Sequence, residues 1–439
     1  MTRTTTLALP ANETADAEVV GAVEQSAEPT RPRPRPPAYR PRGVASRHVA
    51  AVSVGLVVWW QLVALVVVMS GGWSNGVRLA VTIGCGLALV LSMARWRRRW
   101  LPGWLITYLR YRGRVRRAEA NPAPPLAAVT ADLETVLYTD RTGNIVGLAR
   151  DGECWTSLVR VGLPLTTDAE QTRGHLADML DVLAASLDEG EPRVAAVQLV
   201  SWAAAQPAQQ ASPPDDQEAA DPGPATPDPS TAQRTSDPST VQRQYWVALR
   251  LVPHRARQDV EARGGGETGE PRTIAAATLR LAGQLITAGY PVEVCDDADL
   301  TAQLATALGI PATPSGADAG QPVESWRAWS VGALHQACYA LRHHPDTTEA
   351  MAEAAGRLAA VPALFTCVST LLERNPTGEV VSQTLVRLGV AAGPTETEKS
   401  EALQRAAVGL GPDTARLDGA HAVVVPATLP LARRAEIGG

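Results

Sequence analysis

Two long apolar runs stand near the start of the chain, separated by a short polar stretch. Residues 49–69 contain no charged residue, and residues 79–96 contain only Arg95, close to their end. A helix rises about 1.5 Å per residue, so ~20 apolar residues cross the ~30 Å hydrocarbon layer of a membrane. The connection 70–78 is rich in Gly, Ser and Asn and favours a turn. The pattern therefore predicts a transmembrane helical hairpin over 49–69 and 79–96.

Beyond residue 130 the apolar positions alternate between a period of two, typical of strands, and a period of three to four, typical of helices. The predicted strands are Leu133–Tyr138, Asn144–Ala149, Trp155–Val161, Arg193–Trp202, Tyr245–Pro253, Tyr290–Cys295, Leu334–Leu341, Phe365–Leu372 and Val380–Gly389. The predicted helices are Thr167–Leu187, Thr273–Ala288, Asp299–Leu308, Thr348–Ala360 and Glu396–Gly409, and His421–Pro430 is expected to be extended. Hairpins mixed with strand–helix units predict an α+β domain, a mixed sheet with helices on one face, rather than a doubly wound sheet.

Two polar stretches have too little apolar content to build a core. Residues 1–48 combine an acidic part with alternating Arg and Pro, and residues 203–244 are rich in Pro, Asp and Ser. Such composition predicts a disordered leader and a disordered insertion. The strands on either side of the insertion are expected to pair as a hairpin. The predicted organisation is leader 1–48, transmembrane hairpin 49–96, basic aromatic juxtamembrane segment 97–130, cytosolic α+β domain 131–430 and tail 431–439.

The charge is strongly divided along the chain. The net formal charge is only -5, from 40 basic and 45 acidic residues. Between Arg31 and Ala118, however, every charged residue is Arg. Arg on both flanks of the apolar runs predicts a protein of the plasma membrane with both termini in the cytoplasm. In particular, Arg97, Arg98 and Arg99 are expected to set that orientation.

Four aromatic residues follow the second apolar run at a spacing of four. On a helix they form one stripe beside several Arg side chains, an arrangement suited to anionic lipid head groups. The stripe either only anchors the hairpin or recognises a lipid or a partner protein. Its members are Trp96, Trp100, Trp104 and Tyr108.

Several classes of protein are excluded by composition. The single lysine, Lys399, lies in Glu-Lys-Ser and not after a glycine-rich loop, so a P-loop nucleotidase is excluded. The Arg residues flank apolar runs, which favours a membrane surface over nucleic acid. Five Cys in no CxxC spacing predict reduced thiols rather than a disulfide framework or a zinc module. No cofactor is expected.

The strongest candidate for enzymatic chemistry is the pair Asp297 and Asp299, directly after a predicted strand. Two carboxylates at this position can hold a divalent metal on a sugar-nucleotide diphosphate. The competing interpretation is that one Asp of this stretch caps the following helix and another interacts favourably with its dipole. The second interpretation is favoured, because no glycine-rich phosphate loop lies nearby.

A second cluster, His335, Cys338, His343 and His344, falls within ten residues. If Leu334–Leu341 is a strand, the side chains of His335 and Cys338 point to opposite faces. They then cannot both bind one tetrahedral metal ion. The run 264–266 of three glycines lacks a strand–turn–helix context and predicts a flexible turn. No catalytic, cofactor-binding or metal-binding residue is therefore assigned.

Several short motifs lie along the predicted domain. They are Asp140-Arg-Thr-Gly-Asn-Ile-Val-Gly147, Asp151-Gly152, Ser325-Trp326 with His335 and Tyr339, Arg416-Leu-Asp-Gly419 and Ala427-Thr-Leu-Pro430. Together with the order of the segments, these motifs resemble the EccE family of the actinobacterial type VII (ESX) secretion machine.

The resemblance implies a non-enzymatic structural subunit of the inner-membrane core complex, assembled with EccB, EccC and EccD. It places the ATPase motor in EccC, in agreement with the missing P-loop. Two other functions stay open from the residues alone. One is a membrane-tethered sugar-nucleotide transferase using Asp297 and Asp299, and the other is a membrane-anchored domain that recruits a soluble partner.

Overall fold

The structure is a computed structural model that describes most of the chain. The described residues are 54–93, 95–96, 99–130, 133–163, 168–188, 191–205, 241–310, 320–375, 378–391, 393 and 395–436. The predicted disorder of the leader 1–48, and of the insertion over 206–240, concerns residues outside this set.

Eleven α-helices and fourteen strands are formed by the described residues. The helices are α1 (Val54–Met69), α2 (Asn75–Met93), α3 (Leu101–Ala120), α4 (Pro125–Val129), α5 (Ala169–Asp188), α6 (Arg257–Ala262), α7 (Gly266–Thr287), α8 (Asp297–Leu308), α9 (Thr348–Ala359), α10 (Glu396–Val408) and α11 (His421–Thr428). The strands are β1 (Arg95–Trp96), β2 (Arg99–Trp100), β3 (Leu133–Thr139), β4 (Ile145–Asp151), β5 (Cys154–Val161), β6 (Ala196–Ala205), β7 (Val241–Leu251), β8 (Val292–Val294), β9 (Val323–Glu324), β10 (Trp329–Val331), β11 (Leu334–Leu341), β12 (Phe365–Arg374), β13 (Val380–Ala391) and β14 (Thr414–Arg416).

Twelve strands form one sheet, in the order β3-β4-β5-β7-β6-β12-β13-β11-β10-β9, with β8 paired to β5 and β14 paired to β11. Every described strand pair is antiparallel, so the expectation of a mixed sheet is wrong. The hairpin expected across the insertion is confirmed, since β6 and β7 pair along their whole length. The α+β class is also confirmed.

The sheet consists of two halves with the same topology. The first half runs β3-β4-β5-α5-β6-β7-α7-β8-α8, and the second runs β9-β10-β11-α9-β12-β13-α10-β14-α11. Their strand orders, 3-4-5-7-6 and 9-10-11-13-12, are the same when each is taken from its outer edge to the centre. The halves meet at the antiparallel pair β6–β12. The arrangement is that of one unit repeated about a pseudo-twofold axis.

Backbone details repeat between the halves as well. The N–H of Cys295 donates to the carbonyl of Leu158 at 3.1 Å, and the N–H of Leu417 donates to that of Cys338 at 3.0 Å. In both cases the residue that follows the short strand β8 or β14 bonds to the third strand of its half. The repeat therefore extends to individual hydrogen bonds.

The hairpin turns fix how the two halves align. Gly152 between β4 and β5 has a φ of 59°, and Gly332 between β10 and β11 has a φ of 52°. This left-handed conformation favours glycine, which has no Cβ to clash with the backbone. Since both turns are short and of the same kind, residues counted back from each glycine are structural equivalents.

Helices cover both faces of the sheet, so the expectation that they lie on one face is wrong. On the first face α5, α7, α9 and α10 bury their apolar stripes in two clusters that share α9. On the second face α8 and α11 pack on the sheet with the segment that follows α11. The central strands carry apolar side chains on both faces of the sheet, which permits helices to pack on both sides.

Helix α11 replaces the extended tail that was expected over 421–430. Its run of three valines and Pro426 lowers its intrinsic helix propensity. Val424 and Val425 are nevertheless fully buried against the sheet. Burial of this apolar face outweighs the local preference.

Among the described residues, no helix is both long and apolar enough to cross a membrane. The transmembrane hairpin expected over 49–69 and 79–96 is therefore wrong. The first run is helical over Val54–Met69, sixteen residues, or about 24 Å against the ~30 Å of a hydrocarbon layer. The second helix begins at Asn75 and includes Arg78 in its first turn, so polar residues dilute its apolar content.

One charged side chain lies at the centre of the second face. Arg387 of β13 is fully buried, and its guanidinium stacks over the ring of Phe365, 5.2 Å from the centroid. It donates hydrogen bonds to neutral acceptors, the carbonyl oxygens of Ala307 and Leu308, Gln336 Oε1 and Thr428 Oγ1. The carbonyls of Ala307 and Leu308 end α8, where no further turn of helix satisfies them. The guanidinium thus caps α8 and also holds the end of α11.

We expect Arg387→Ala to lower the free energy of unfolding by at least about 3 kcal/mol, because it leaves several buried acceptors unpaired and opens a cavity. Urea unfolding followed by circular dichroism measures the loss. Arg141→Ala, at an exposed position of the β3–β4 turn, is the matched control and should stay within about 0.5 kcal/mol of the parent. Equal stability of the two variants would contradict this role for Arg387.

Candidate functional site

The candidate site is the surface on the second half of the sheet against which α3 packs, called here the seat of α3. Helix α3 begins at Leu101, with Pro102 in its first turn, where the missing N–H is not needed. Trp96 and Trp100 lie in the small hairpin β1–β2 and not on this helix. The expected stripe of four aromatic residues is therefore limited to Trp104 and Tyr108.

An aromatic cluster forms the core of this seat. The rings of Trp104 and Tyr108 are stacked, with centroids 5.4 Å apart and planes 4° from parallel. Trp326, in the turn between β9 and β10, contacts both rings at 5.7 Å and 6.0 Å and meets Tyr111 edge to face at 5.4 Å. These three residues of α3 occupy one face of the helix, since they are four and three positions apart. Pairs of this geometry contribute about 0.5–1.5 kcal/mol each beyond the area that they bury.

A bidentate ion pair lies next to the aromatic cluster. Arg114 donates from Nε and Nη2 to the two carboxylate oxygens of Glu324, at 3.1 Å and 3.0 Å. The Glu324 side chain is only 6% exposed, which strengthens the pair relative to one in water. Glu324 also accepts the backbone N–H of Ala422 at 3.1 Å, in the first turn of α11. One carboxylate thus joins α3, β9 and α11.

Gly419 closes the seat from the other side. Its carbonyl accepts a hydrogen bond of 2.6 Å from Arg114 Nη2, and its N–H donates to the carbonyl of Trp326 at 2.7 Å. Its φ is +72°, and a Cβ there would lie 2.3 Å from a ring carbon of Trp326. Only glycine allows this close approach. The Ser-Trp and Arg-Leu-Asp-Gly motifs of the sequence therefore meet at one place.

Burial and a neighbouring carboxylate shift the pKa values of side chains in and near the seat. Burial raises the pKa of Tyr111, and the neighbouring Glu324 raises it further. Nearby, burial lowers the pKa of His421 to about 3, and its Nδ1 accepts the N–H of Cys338 at 3.1 Å. His421 is therefore neutral at physiological pH. This arrangement is suited to holding a helix and offers no activated nucleophile.

The aspartates expected as possible metal ligands lie at the start of α8. The side chain of Asp296 accepts the backbone N–H of Asp299 at 2.7 Å and caps the helix. Asp297 and Asp299 occupy the first turn, where carboxylates interact favourably with the helix dipole. The capping interpretation of this stretch is confirmed.

The histidine and cysteine cluster is dispersed by the fold. His335 Nδ1 bonds to Ser330 Oγ at 2.5 Å on the first face of the sheet, whereas Cys338 packs into the apolar cluster of the second face. His343 lies near Asp413, with 3.9 Å between Nδ1 and Oδ1. Among the described residues, no group of three or more His, Cys, Asp or Glu is placed to hold a metal.

Two other predicted features have different outcomes. The three glycines 264–266 lie between α6 and α7 with φ from 48° to 112° and form a turn between helices. Arg97 and Arg98 lie outside the described residues, and Arg99 begins the small strand β2. The effect of these three Arg residues on orientation stays a prediction.

A match to a known family covers part of this site. Residues 239–341 match the EccE family model. The family is described as "Putative type VII ESX secretion system translocon, EccE". The matched stretch runs from β7 to β11 and includes Glu324 and Trp326. No curated protein matches the chain. The resemblance to EccE is thus confirmed over this stretch and connects the chain with a type VII secretion translocon.

Two partners in the seat of α3 were missed by sequence reasoning. Tyr111 continues the spacing of Trp104 and Tyr108 by three residues, so the helical period signals it. Glu324 gives no such signal, because it lies 210 positions from Arg114. Only the fold brings the two together.

We expect Arg114→Ala to loosen α3 on the EccE-like domain, because a buried hydrogen-bonded carboxylate loses its partner. The expected loss of local stability is about 1.5–3 kcal/mol. Hydrogen exchange measured by mass spectrometry should show faster exchange in α3 and α11 and unchanged exchange in α5. Arg116→Ala, an exposed Arg on the same helix, is the control. Equal protection of α3 in both variants would contradict the role of the ion pair.

Proposed function

We propose that the whole chain is an EccE-family subunit of a type VII (ESX) secretion translocon, with a structural rather than an enzymatic role. The match over 239–341 supports the family. The seat of α3 supports the structural role, because its side chains bind one another and hold a helix. Its partners would be the other core components, EccB, EccC and EccD.

The apolar surface of α1 and α2 supports membership of a larger assembly. Leu65, Val68, Leu79 and Ile83 are each more than half exposed. A contiguous apolar surface of this kind marks contact with another protein or with lipid. We expect this surface to be covered in the assembly at the cytoplasmic membrane, with the Arg residues of α3 near anionic head groups.

Helix α3 connects this apolar pair to the body of the protein. It follows α2 along the chain and is fixed to the sheet by Trp326 and Glu324. The seat therefore transmits the position of α1 and α2 to the twelve-stranded sheet. This mechanical connection is the single observation that carries the structural role.

The test is purification of the tagged full-length protein from its native membrane in a mild detergent, followed by quantitative mass spectrometry. We expect EccB, EccC and EccD at stoichiometric levels with the parent protein. Trp326→Ala together with Glu324→Gln should reduce their recovery at least fivefold, because α3 is no longer held in a fixed position.

Leu364→Ala changes an exposed apolar residue outside the seat and serves as the control. Recovery of the tagged protein alone, from membranes shown to contain the other components, would reject the proposed function. Full recovery with the double variant would reject the role of the seat and leave the family assignment standing.

A further inference from the structure

The pseudo-twofold repeat gives the first half of the sheet a surface equivalent to the seat of α3. Ala149 precedes Gly152 by three residues, as Trp329 precedes Gly332. Thr135 pairs with Ala149, as Glu324 pairs with Trp329. Leu137 stands two positions after Thr135, as Trp326 stands two positions after Glu324, but β3 and β4 continue as a paired hairpin at the point where β9 and β10 are joined by a turn.

This equivalent surface is apolar and open. Leu137 pairs with Gly147, so it lies on the same face of the sheet as Ile145, which precedes Gly147 by two residues in β4. Leu137 is 50% exposed and Ile145 is 41% exposed. In the second half the corresponding surface is covered by aromatic side chains of α3. An apolar pair on an edge hairpin is where a partner helix would pack.

The rim of the surface is acidic. The start of α8 lies directly over Gly147, since a Cβ on that glycine would be 2.3 Å from the carbonyl carbon of Asp296. Gly147 also donates its N–H to Cys295 at 2.8 Å. Asp297 follows at the position equivalent to Gly419, whose carbonyl binds Arg114 in the other half. Asp299, two residues further on in the same first turn, is a further carboxylate.

The connectivity explains why, within the described part of the chain, a helix covers only one of the two equivalent surfaces. Helix α3 precedes the first half along the chain but packs on the second half. A matching helix before the second half would have to fit into residues 309–322, between α8 and β9. That segment is shorter than α3, which has 20 residues.

We propose that the surface formed by Leu137, Ile145 and Asp297, called here the β3–β4 surface, binds a basic helix with aromatic residues from another polypeptide. The charge of the rim requires Arg or Lys on that helix, and the two apolar side chains require aromatic or large aliphatic ones. Helix α3 itself shows the chemistry that the equivalent seat accepts. The inference goes beyond the secretion role and does not depend on it.

The test uses a fluorescein-labelled synthetic peptide with the sequence of residues 101–120 as the probe and the full-length protein in detergent as the receptor. We expect saturable binding of one peptide per chain in fluorescence anisotropy. Leu137→Ser together with Ile145→Ser should weaken the affinity at least tenfold. Asp297→Asn should weaken it about threefold, and this decrease should shrink at high salt.

Two comparisons separate the proposed surface from other sites. Val408→Ser, at a residue of α10 that is 79% exposed, should leave the affinity unchanged. A peptide with Trp104, Tyr108 and Tyr111 replaced by Ala should not bind.

Both serine variants lie at exposed positions, so circular dichroism is expected to show parent-like unfolding. Absence of saturable binding to the parent would overturn the proposal. Binding that is insensitive to Leu137 and Ile145 would also overturn it.

Discussion

The architecture depends on a buried guanidinium at the middle of the sheet. Arg387 belongs to the second half, and yet the carbonyls that it binds include those that end α8, a helix of the first half. It also bonds to Thr428, at the end of α11. Because the acceptors are neutral, the charge is stabilised by several oriented dipoles and by the ring of Phe365 instead of a carboxylate. One side chain thus joins the two halves on their second face.

Local elements of this fold are readable from the sequence, since they depend on neighbouring residues. The strand Leu334–Leu341 and the helix that starts at Thr348 follow directly from apolar spacing, and the structure adds a cap at Thr347. The capping role in the aspartate stretch also follows from a local preference. Where burial of apolar side chains decides the structure, the local sequence pattern gives the wrong prediction, as in α11.

The repeat is hidden in the sequence because equivalent positions carry different side chains. Trp155 corresponds to His335, and the position equivalent to Arg387 in β7 is Ala248. What the halves share is backbone geometry and strand pairing, which many side chains can satisfy. Pairings between distant segments, such as β6 with β12, are likewise set by the complete sheet. The ion pair of the α3 seat depends on such pairings and so could not be derived from spacing.

A body made of two similar halves is asymmetric when α3 packs on only one of them. If both halves carried their own helix, the molecule would present the same surface twice and would favour symmetric, isologous contacts. Here α3 occupies one seat, with Glu324 and Gly419 fitted to Arg114, whereas the equivalent surface carries Leu137 and an acidic rim. Two structurally equivalent surfaces therefore differ in chemistry. Such a difference lets a pseudo-symmetric subunit hold a fixed orientation among unlike neighbours in an assembly.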